Sequence, residues 1–260
     1  MYLTNLGNSY ACRFEQFGEV KDIDLAIQQQ HEAVTSMPLD SADRPGLLNN
    51  LGNLYQSCFE WFGEVQDINL AIQQQREAVT STPLDSAQRL MYLTNLGNSY
   101  ACRFERFGEV QDIDLAIQQQ CEAVTSTPLD SAQRPQQLNN LGISYTGRFE
   151  RFGEVKDINL AIQQQREALT SIPLDSADRP MYLTSLGNSY ACRFERFGEV
   201  QDIDLAIQQQ CEAVTFTPLD SPHRPQQLNN LGVSYTGRFE RFGEVKDIDL
   251  AIQQQHEAVT

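Results

Sequence analysis

Leu3, Leu6, Tyr10, Phe14 and Phe17 are spaced 3, 4, 4 and 3 residues apart, with mostly polar or small positions between them. That spacing draws one apolar stripe along an α-helix. Gly18 follows the last apolar residue and suits a left-handed cap. A second stripe follows at Ile23, Ala26, Ile27, Ala33 and Val34. Asp22 precedes it as an expected N-cap, and Asp24 lies well against the helix dipole. The segment "TSTPLDSAQRP" and its variants then break the helix and turn the chain. Pro45, Pro135, Pro180 and Pro225 stand near first-helix starts, where a missing N–H costs nothing.

The pattern recurs. Gly7, Gly52, Gly97, Gly142, Gly187 and Gly232 are each 45 residues apart, as are Ala26, Ala71, Ala116, Ala161, Ala206 and Ala251. A second period of 90 lies on top: residues 91–134 and 181–224 differ at four positions, and so do 135–170 and 225–260. Six copies follow, at approximately 1–42, 43–87, 88–132, 133–177, 178–222 and 223–260, the last truncated. One helix pair cannot bury both its stripes, so stacking must do it. The expected fold is all-α: a right-handed α-solenoid of six helix-turn-helix repeats, about twelve helices, forming a single domain over 1–260. Small Gly7 and Ala26 would let the helices of a pair approach closely.

"RFERFGEV", at 103–110 and three later places, joins Arg, Phe and Gly as a phosphate loop or a nucleic-acid strand could. The further Gly and the Lys of a phosphate loop are absent, and so are the strand and the basic field of a nucleic-acid binder. It reads as the end of the first helix plus its stop signal, with both Phe in the core. The balance of 35 acidic against 19 basic residues, −16, repels nucleic acid and anionic membranes and suits basic partners. No apolar run approaches the ~20 residues of a membrane helix, and no secretory signal is visible, which makes the cytoplasm the expected location.

Cys12, Cys102 and Cys192 are 90 apart, as are Cys121 and Cys211; with Cys58 they are copies of repeat slots rather than a disulfide or metal framework. His31 and His256 share a slot with Arg76, Cys121, Arg166 and Cys211, which reads as exposed surface, and His223 lies in a turn. No HExxH, GxSxG or Walker pattern is present. Acidic residues recur in every copy, whereas a catalytic site is usually singular. No enzyme, cofactor or metal site is expected.

Leu3-x-x-Leu6-Gly7-x-x-Tyr10, then Ala26, Ala33 and Pro38, recurring across the chain, resembles the tetratricopeptide (TPR) repeat. The usual unit has 34 residues; here seven extra lie between Gly7 and Ala26 and four between Pro38 and Gly52. Gln30, Gln75, Gln120, Gln165, Gln210 and Gln255 replace a typically aromatic core residue. The long unit is similar to arrays of mushroom-forming basidiomycete fungi, which often accompany caspase-like CHAT domains or nucleotide-binding switch modules, and less closely to kinesin light chains. The resemblance implies a protein-binding scaffold whose first helices line a concave face. It leaves open a regulatory arm of a larger protein, and a self-assembling structural rod.

The copies differ mainly at the slots of Met1, Thr4, Asn8, Ala11 and Cys12, which project within an arc of about 100°, roughly opposite the core stripe. The Glu15 slot falls on the same arc. The candidate partner-binding strip is therefore Thr4, Asn8, Cys12 and Glu15; Asn49, Asn53, Gln56 and Glu60; Thr94, Asn98, Cys102 and Glu105; Asn139, Ile143, Thr146 and Glu150; Thr184, Asn188, Cys192 and Glu195; Asn229, Val233, Thr236 and Glu240. The strip is expected to face solvent. Asn amides can bond a peptide backbone in either sense, and the copied Glu favours Lys or Arg on the partner. Solvated charges and neutral drift are the alternative. Arg13 and its copies lie off the arc and are expected to pair with a carboxylate on a neighbouring helix. Met1 aligns with Met91 and Met181, and neither end carries a polar cap, which suggests a fragment or end-to-end stacking.

Overall fold

The structure is a computed structural model that describes residues 2–259. Met1, one of the variable slots, and Thr260 lie outside the described residues. The first six helices are α1 (Tyr2–Phe17), α2 (Val20–Ser36), α3 (Arg44–Phe62), α4 (Val65–Thr80), α5 (Ala87–Phe107) and α6 (Val110–Ser126). They belong to one compact unit, Met1–Thr127. The second unit, Pro128–Thr260, holds α7 (Arg134–Phe152), α8 (Val155–Thr170), α9 (Arg179–Phe197), α10 (Val200–Phe216), α11 (Arg224–Phe242) and α12 (Val245–Ala258). In each unit, three helix pairs stack so that the second helix of one pair packs on the first helix of the next.

Local chemistry explains the boundaries. Gly18, Gly63, Gly108, Gly153, Gly198 and Gly243 all have φ between 70° and 78°, the left-handed region, and end the first helices. Each cap N–H bonds back to the carbonyl of the Phe four residues earlier, as Gly108 does to Phe104 at 2.7 Å. Pro45, Pro135, Pro180 and Pro225 occupy the first turns of α3, α7, α9 and α11. In α5, Leu90 replaces the proline and the helix starts two residues earlier, because the residues ahead of it are free to turn helical.

The core follows the predicted stripes with two departures. In the second unit Phe149, Ile158, Ala161, Leu186, Tyr190, Phe194, Ile203, Ala206, Leu231, Tyr235 and Ala251 belong to one buried cluster that runs from α7 to α12. In the first unit a smaller cluster joins Phe14, Ile23, Ala26 and Cys58. Phe17 and its copies depart from expectation: they are 40 to 66% exposed, at the rim rather than in the interior. The later copies still touch the preceding repeat, as Phe62 does Phe14 at 6.2 Å and Phe107 does Phe59 at 6.1 Å between ring centres. Leu6 is exposed although Leu51, Leu96, Leu141, Leu186 and Leu231 are buried.

Gly52 shows why its slot tolerates no side chain. A Cβ there would stand 2.6 Å from Gln75 Cγ and 3.1 Å from the Ala71 carbonyl oxygen. The glutamine that takes the aromatic slot is itself buried at Gln30, Gln75, Gln120, Gln165 and Gln210, and it fills the room the glycine leaves.

Candidate functional site

Asp22 is not the N-cap that its position suggested. Glu19 precedes α2, and Asp22 lies buried in the first turn, held by the Arg13 guanidinium. The pairing expected for Arg13 recurs in five copies. Arg103 donates Nε to Asp112 Oδ2 at 2.8 Å and Nη2 to Oδ1 at 2.5 Å, and Arg148–Asp157, Arg193–Asp202 and Arg238–Asp247 are built alike. Arginine reaches further, too: Arg103 Nη1 bonds Asn69 of the preceding repeat at 2.7 Å. This side chain is structural, and its fork matches a carboxylate in two-point geometry. In the second copy Cys58 stands in the arginine slot. Burial and the charges of Glu64 and Asp24 raise the Asp67 pKa above the usual carboxylate value.

The variable strip divides by exposure. Glu15, Glu60, Glu105, Glu150, Glu195 and Glu240 are exposed, with Asn8, Cys12, Asn53, Ile143, Asn229 and Val233. Thr4, Gln56, Thr94, Asn98, Cys102, Thr184, Asn188, Cys192 and Thr236 are half-buried. Asn49, Asn139 and Thr146 are buried, which corrects the expectation of a solvent-facing strip. Many of these side chains are occupied by protein. Asn49 accepts from Asn95 at 3.0 Å, Gln56 from Ser99 at 2.7 Å, and Thr146 bonds Ser189 at 2.7 Å, each to the first helix of the next repeat. Cys192 Sγ donates to Glu150 at 2.9 Å. Thr94, Thr184 and Thr236 bond back to carbonyls of their own helices. Much of the strip is thus a polar seam between adjacent first helices.

Openings remain between those helices in the second unit. A cavity of about 660 Å³ lies between α9 and α11, lined by Phe194, Phe197, Val233, Thr236 and Gly237, with Glu195 and Glu240 beside Arg196 and Arg241. One of about 320 Å³ lies between α7 and α9, where the slot of Gly237 holds Cys192. The strip slots lack basic residues, but the larger cavity does not. Arg196 and Arg241 reach back over the glycine caps of the preceding repeat, so a Cβ on Gly153 would stand 3.0 Å from Arg196 Nη2. They sit at helix C-termini, where a cation is favoured. Trp61 covers Gly18 from the same slot.

All six cysteines are free thiols. Burial pushes the Cys58 thiol pKa up to about 12 and the Cys102 thiol up to about 11. Among the described residues no three His, Cys, Asp or Glu side chains gather as metal ligands, and no helix is long and apolar enough to cross a membrane.

No family model and no curated protein sequence matches the chain. Solved structures do. The Cut9 and Hcn1 hetero-tetramer of the APC/C aligns over 99% of this chain at 17% identity, with a TM-score of 0.64. A putative kinesin light chain of Podospora anserina, described as having nearly identical TPR-like repeats, aligns over 81% at 12% identity, TM-score 0.57. BtubC of P. vanneervenii aligns over all of it at 17% identity, TM-score 0.59. This chain has the TPR-like repeat fold. It spans 39% of the matched chain in the first of these structures, and 97% and 91% in the other two.

Two devices of the TPR-like array escaped the sequence reading. The turn arginine is one. Arg44 Nη1 bonds the Val34 carbonyl at 2.7 Å and Nη2 bonds Glu77 at 3.1 Å, tying the end of one second helix to the next repeat. Arg89–Glu122, Arg134–Glu167, Arg179–Glu212 and Arg224–Glu257 repeat the ion pair. The recurrence of Arg at the end of every turn was the available signal. The slot of His31 is the other. It is exposed at His31, Arg76, Arg166 and His256, as predicted, but half-buried at Cys121 and Cys211. Arg76 donates to the Tyr100 hydroxyl, and Cys211 meets the Tyr235 hydroxyl at 3.7 Å. The slot therefore joins successive repeats.

Proposed function

We propose that this TPR-like array is a non-catalytic, cytosolic scaffold that binds a protein segment along its first helices. The observation that carries this is the cavity between α9 and α11. Its apolar lining is Phe194, Phe197, Val233 and the bare backbone of Gly237, and its charged lining is Glu195 and Glu240 together with Arg196 and Arg241. An apolar lining with a few charged groups is the ordinary make-up of a binding site. In the first of the structures compared, a TPR-like chain sits within a hetero-tetramer, which is consistent with an assembly role.

A partner segment with Lys or Arg is favoured by the net charge of −16 and by the two lining glutamates. Arg196 and Arg241 lie against glycine caps and face helix C-termini, which leaves the glutamates as the acceptors for an incoming cation. The test is capture of a Lys-containing peptide library by the chain and by Glu195→Gln/Glu240→Gln and Gly237→Phe variants. Binding should fall with salt and fall about tenfold or more in each variant. Affinity indifferent to salt and to both variants contradicts the reading.

A further inference from the structure

A cavity of about 380 Å³ lies between the first turns of α9 and α11, at the other end of these helices from Glu195 and Glu240. Ala177, Pro180, Met181 and Pro218 give it apolar walls. The polar groups that line it are chiefly acceptors. Thr184, Ser185 and Thr217 spend their hydroxyl protons on the carbonyls of Pro180, Met181 and Ala213. Gln226 donates its amide to Asn230 at 2.8 Å. Gln227 is 7% exposed, and its Oε1 has no hydrogen-bond partner. An acceptor so buried is normally paired. The exposed Asp178 adds a carboxylate that makes no cap bond to α9. The first-turn N–H groups do not draw in an anion: Met181 and Gln227 donate theirs to the carbonyls of Asp178 and His223, and Pro180 and Pro225 have none.

The duplication within the chain marks the same place. Residues 91–134 and 181–224 differ only as Asn95 from Ser185, Ser126 from Phe216, Ala132 from Pro222 and Gln133 from His223. Ser185 and His223 line the cavity, and Phe216 and Pro222 directly precede the lining residues Thr217 and His223. The change at Ser185 costs the polar seam a bond. Asn95 donates to Asn49, whereas Ser185 donates to its own helix, and the buried Oδ1 of Asn139, the copy of Asn49, has no partner. Two otherwise identical blocks thus diverge around one cavity, at the expense of a structural hydrogen bond.

We propose that this cavity binds a primary ammonium group carried on an apolar body, from a free amine or a lysine side chain. Three donors on one cationic nitrogen match a lining of acceptors with one carboxylate at its mouth. Gln227 Oε1 supplies the acceptor at the buried end, and Asp178 supplies the countercharge. The walls of Pro180, Met181 and Pro218 hold the carbon body. The site is separate from the cavity beside Glu195 and Glu240 and does not depend on what binds there.

Calorimetric titration with cyclohexylmethylamine tests it, with cyclohexylmethanol as the neutral counterpart. The amine should bind about tenfold more tightly or better. Gln227→Leu and Asp178→Gln install residues that stand in the same slots elsewhere, Leu47 and Gln133, so circular dichroism should match the parent. Each should weaken the amine about tenfold and narrow its advantage over the alcohol. Gln227→Leu changes no charge, so its effect cannot come from the net charge of −16. An acetylated and amidated Ala-Ala-Lys-Ala-Ala peptide separates the two sources: Gln227-dependent binding tighter than that of the amine selects a lysine side chain, and weaker binding selects a free amine. No saturable amine binding, equal affinity for amine and alcohol, or an amine affinity unchanged in either variant would each overturn the proposal.

Discussion

Arg103 and Asp112, nine residues apart, clasp the two helices of the third repeat with a pair of parallel hydrogen bonds, and the same slots of the second repeat hold Cys58 and Asp67. The array thus contains one natural deletion of its own recurring clasp. Cys58→Arg should restore it. A hydrogen-bonded charge of this kind contributes about 1–3 kcal/mol, read as an increase in the urea midpoint. The reverse change, Arg148→Cys, strands the buried Asp157 and should cost about 3 kcal/mol.

The pH dependence distinguishes the two kinds of carboxylate. The raised pKa of Asp67 means that the folded state keeps its proton after the unfolded chain has released it. Its contribution is present below the unfolded value, ~3.9, and is lost as pH rises through the folded one. Asp22 is the opposite case. The Arg13 hydrogen bonds hold its pKa below the usual value, so its stabilisation is present above ~3.9 and is lost as pH falls through the depressed folded value. The advantage of Cys58→Arg should therefore be small in acid and grow as pH rises through the carboxylate range, measured by urea melts at a series of pH values.

Gly142→Ala should destabilise by about 1–3 kcal/mol through overpacking, since the added Cβ would meet Gln165 Cγ at 2.6 Å. Gln165→Ala in the same chain removes that atom but leaves the Ala161 carbonyl at 3.1 Å. Partial recovery in the double variant, measured as a double-mutant cycle, is the expected outcome; strictly additive losses would contradict the packing account.

Thiol reactivity reports burial directly. Cys12 is exposed, Cys58 is buried with its pKa pushed up to about 12, and the Cys192 thiol is raised by burial and by its bond to Glu150. The thiolate is the reactive form, so alkylation at neutral pH should label Cys12 first and Cys58 and Cys192 only slowly, followed by peptide mass spectrometry. Equal rates at Cys12 and Cys58 would contradict the buried slot.

The helix pairs were legible in the sequence because two independent periods coincide: apolar spacing marks each helix, and the 45-residue repeat sets the pairing partner. Asp22 was not, because an acidic residue near a helix start can cap N–H groups or pair with an arginine nine residues earlier, and spacing alone does not choose. The candidate strip was only half legible for a similar reason. A helical projection shows which slots turn away from the core stripe, but not whether the next repeat stands there. Asn49 and Thr146 are buried because Asn95 and Ser189 of the following first helix reach them. Phe17 misled in the other direction, since the stripe reaches the rim where the pair turns.

The account rests on the 45-residue unit being one removable layer of the stack. Deleting residues 46–90 joins Pro45 to Met91 and reproduces the native sequence "SADRPMYLT" of residues 176–184. Urea unfolding followed by circular dichroism should show this chain still folded, with unchanged mean residue ellipticity, a cooperative transition and a smaller m-value in proportion to the surface removed. Deleting 46–67 instead leaves a second helix without its partner and should abolish the transition. Loss of folding in the in-phase deletion, or equal behaviour of the two, would contradict the account.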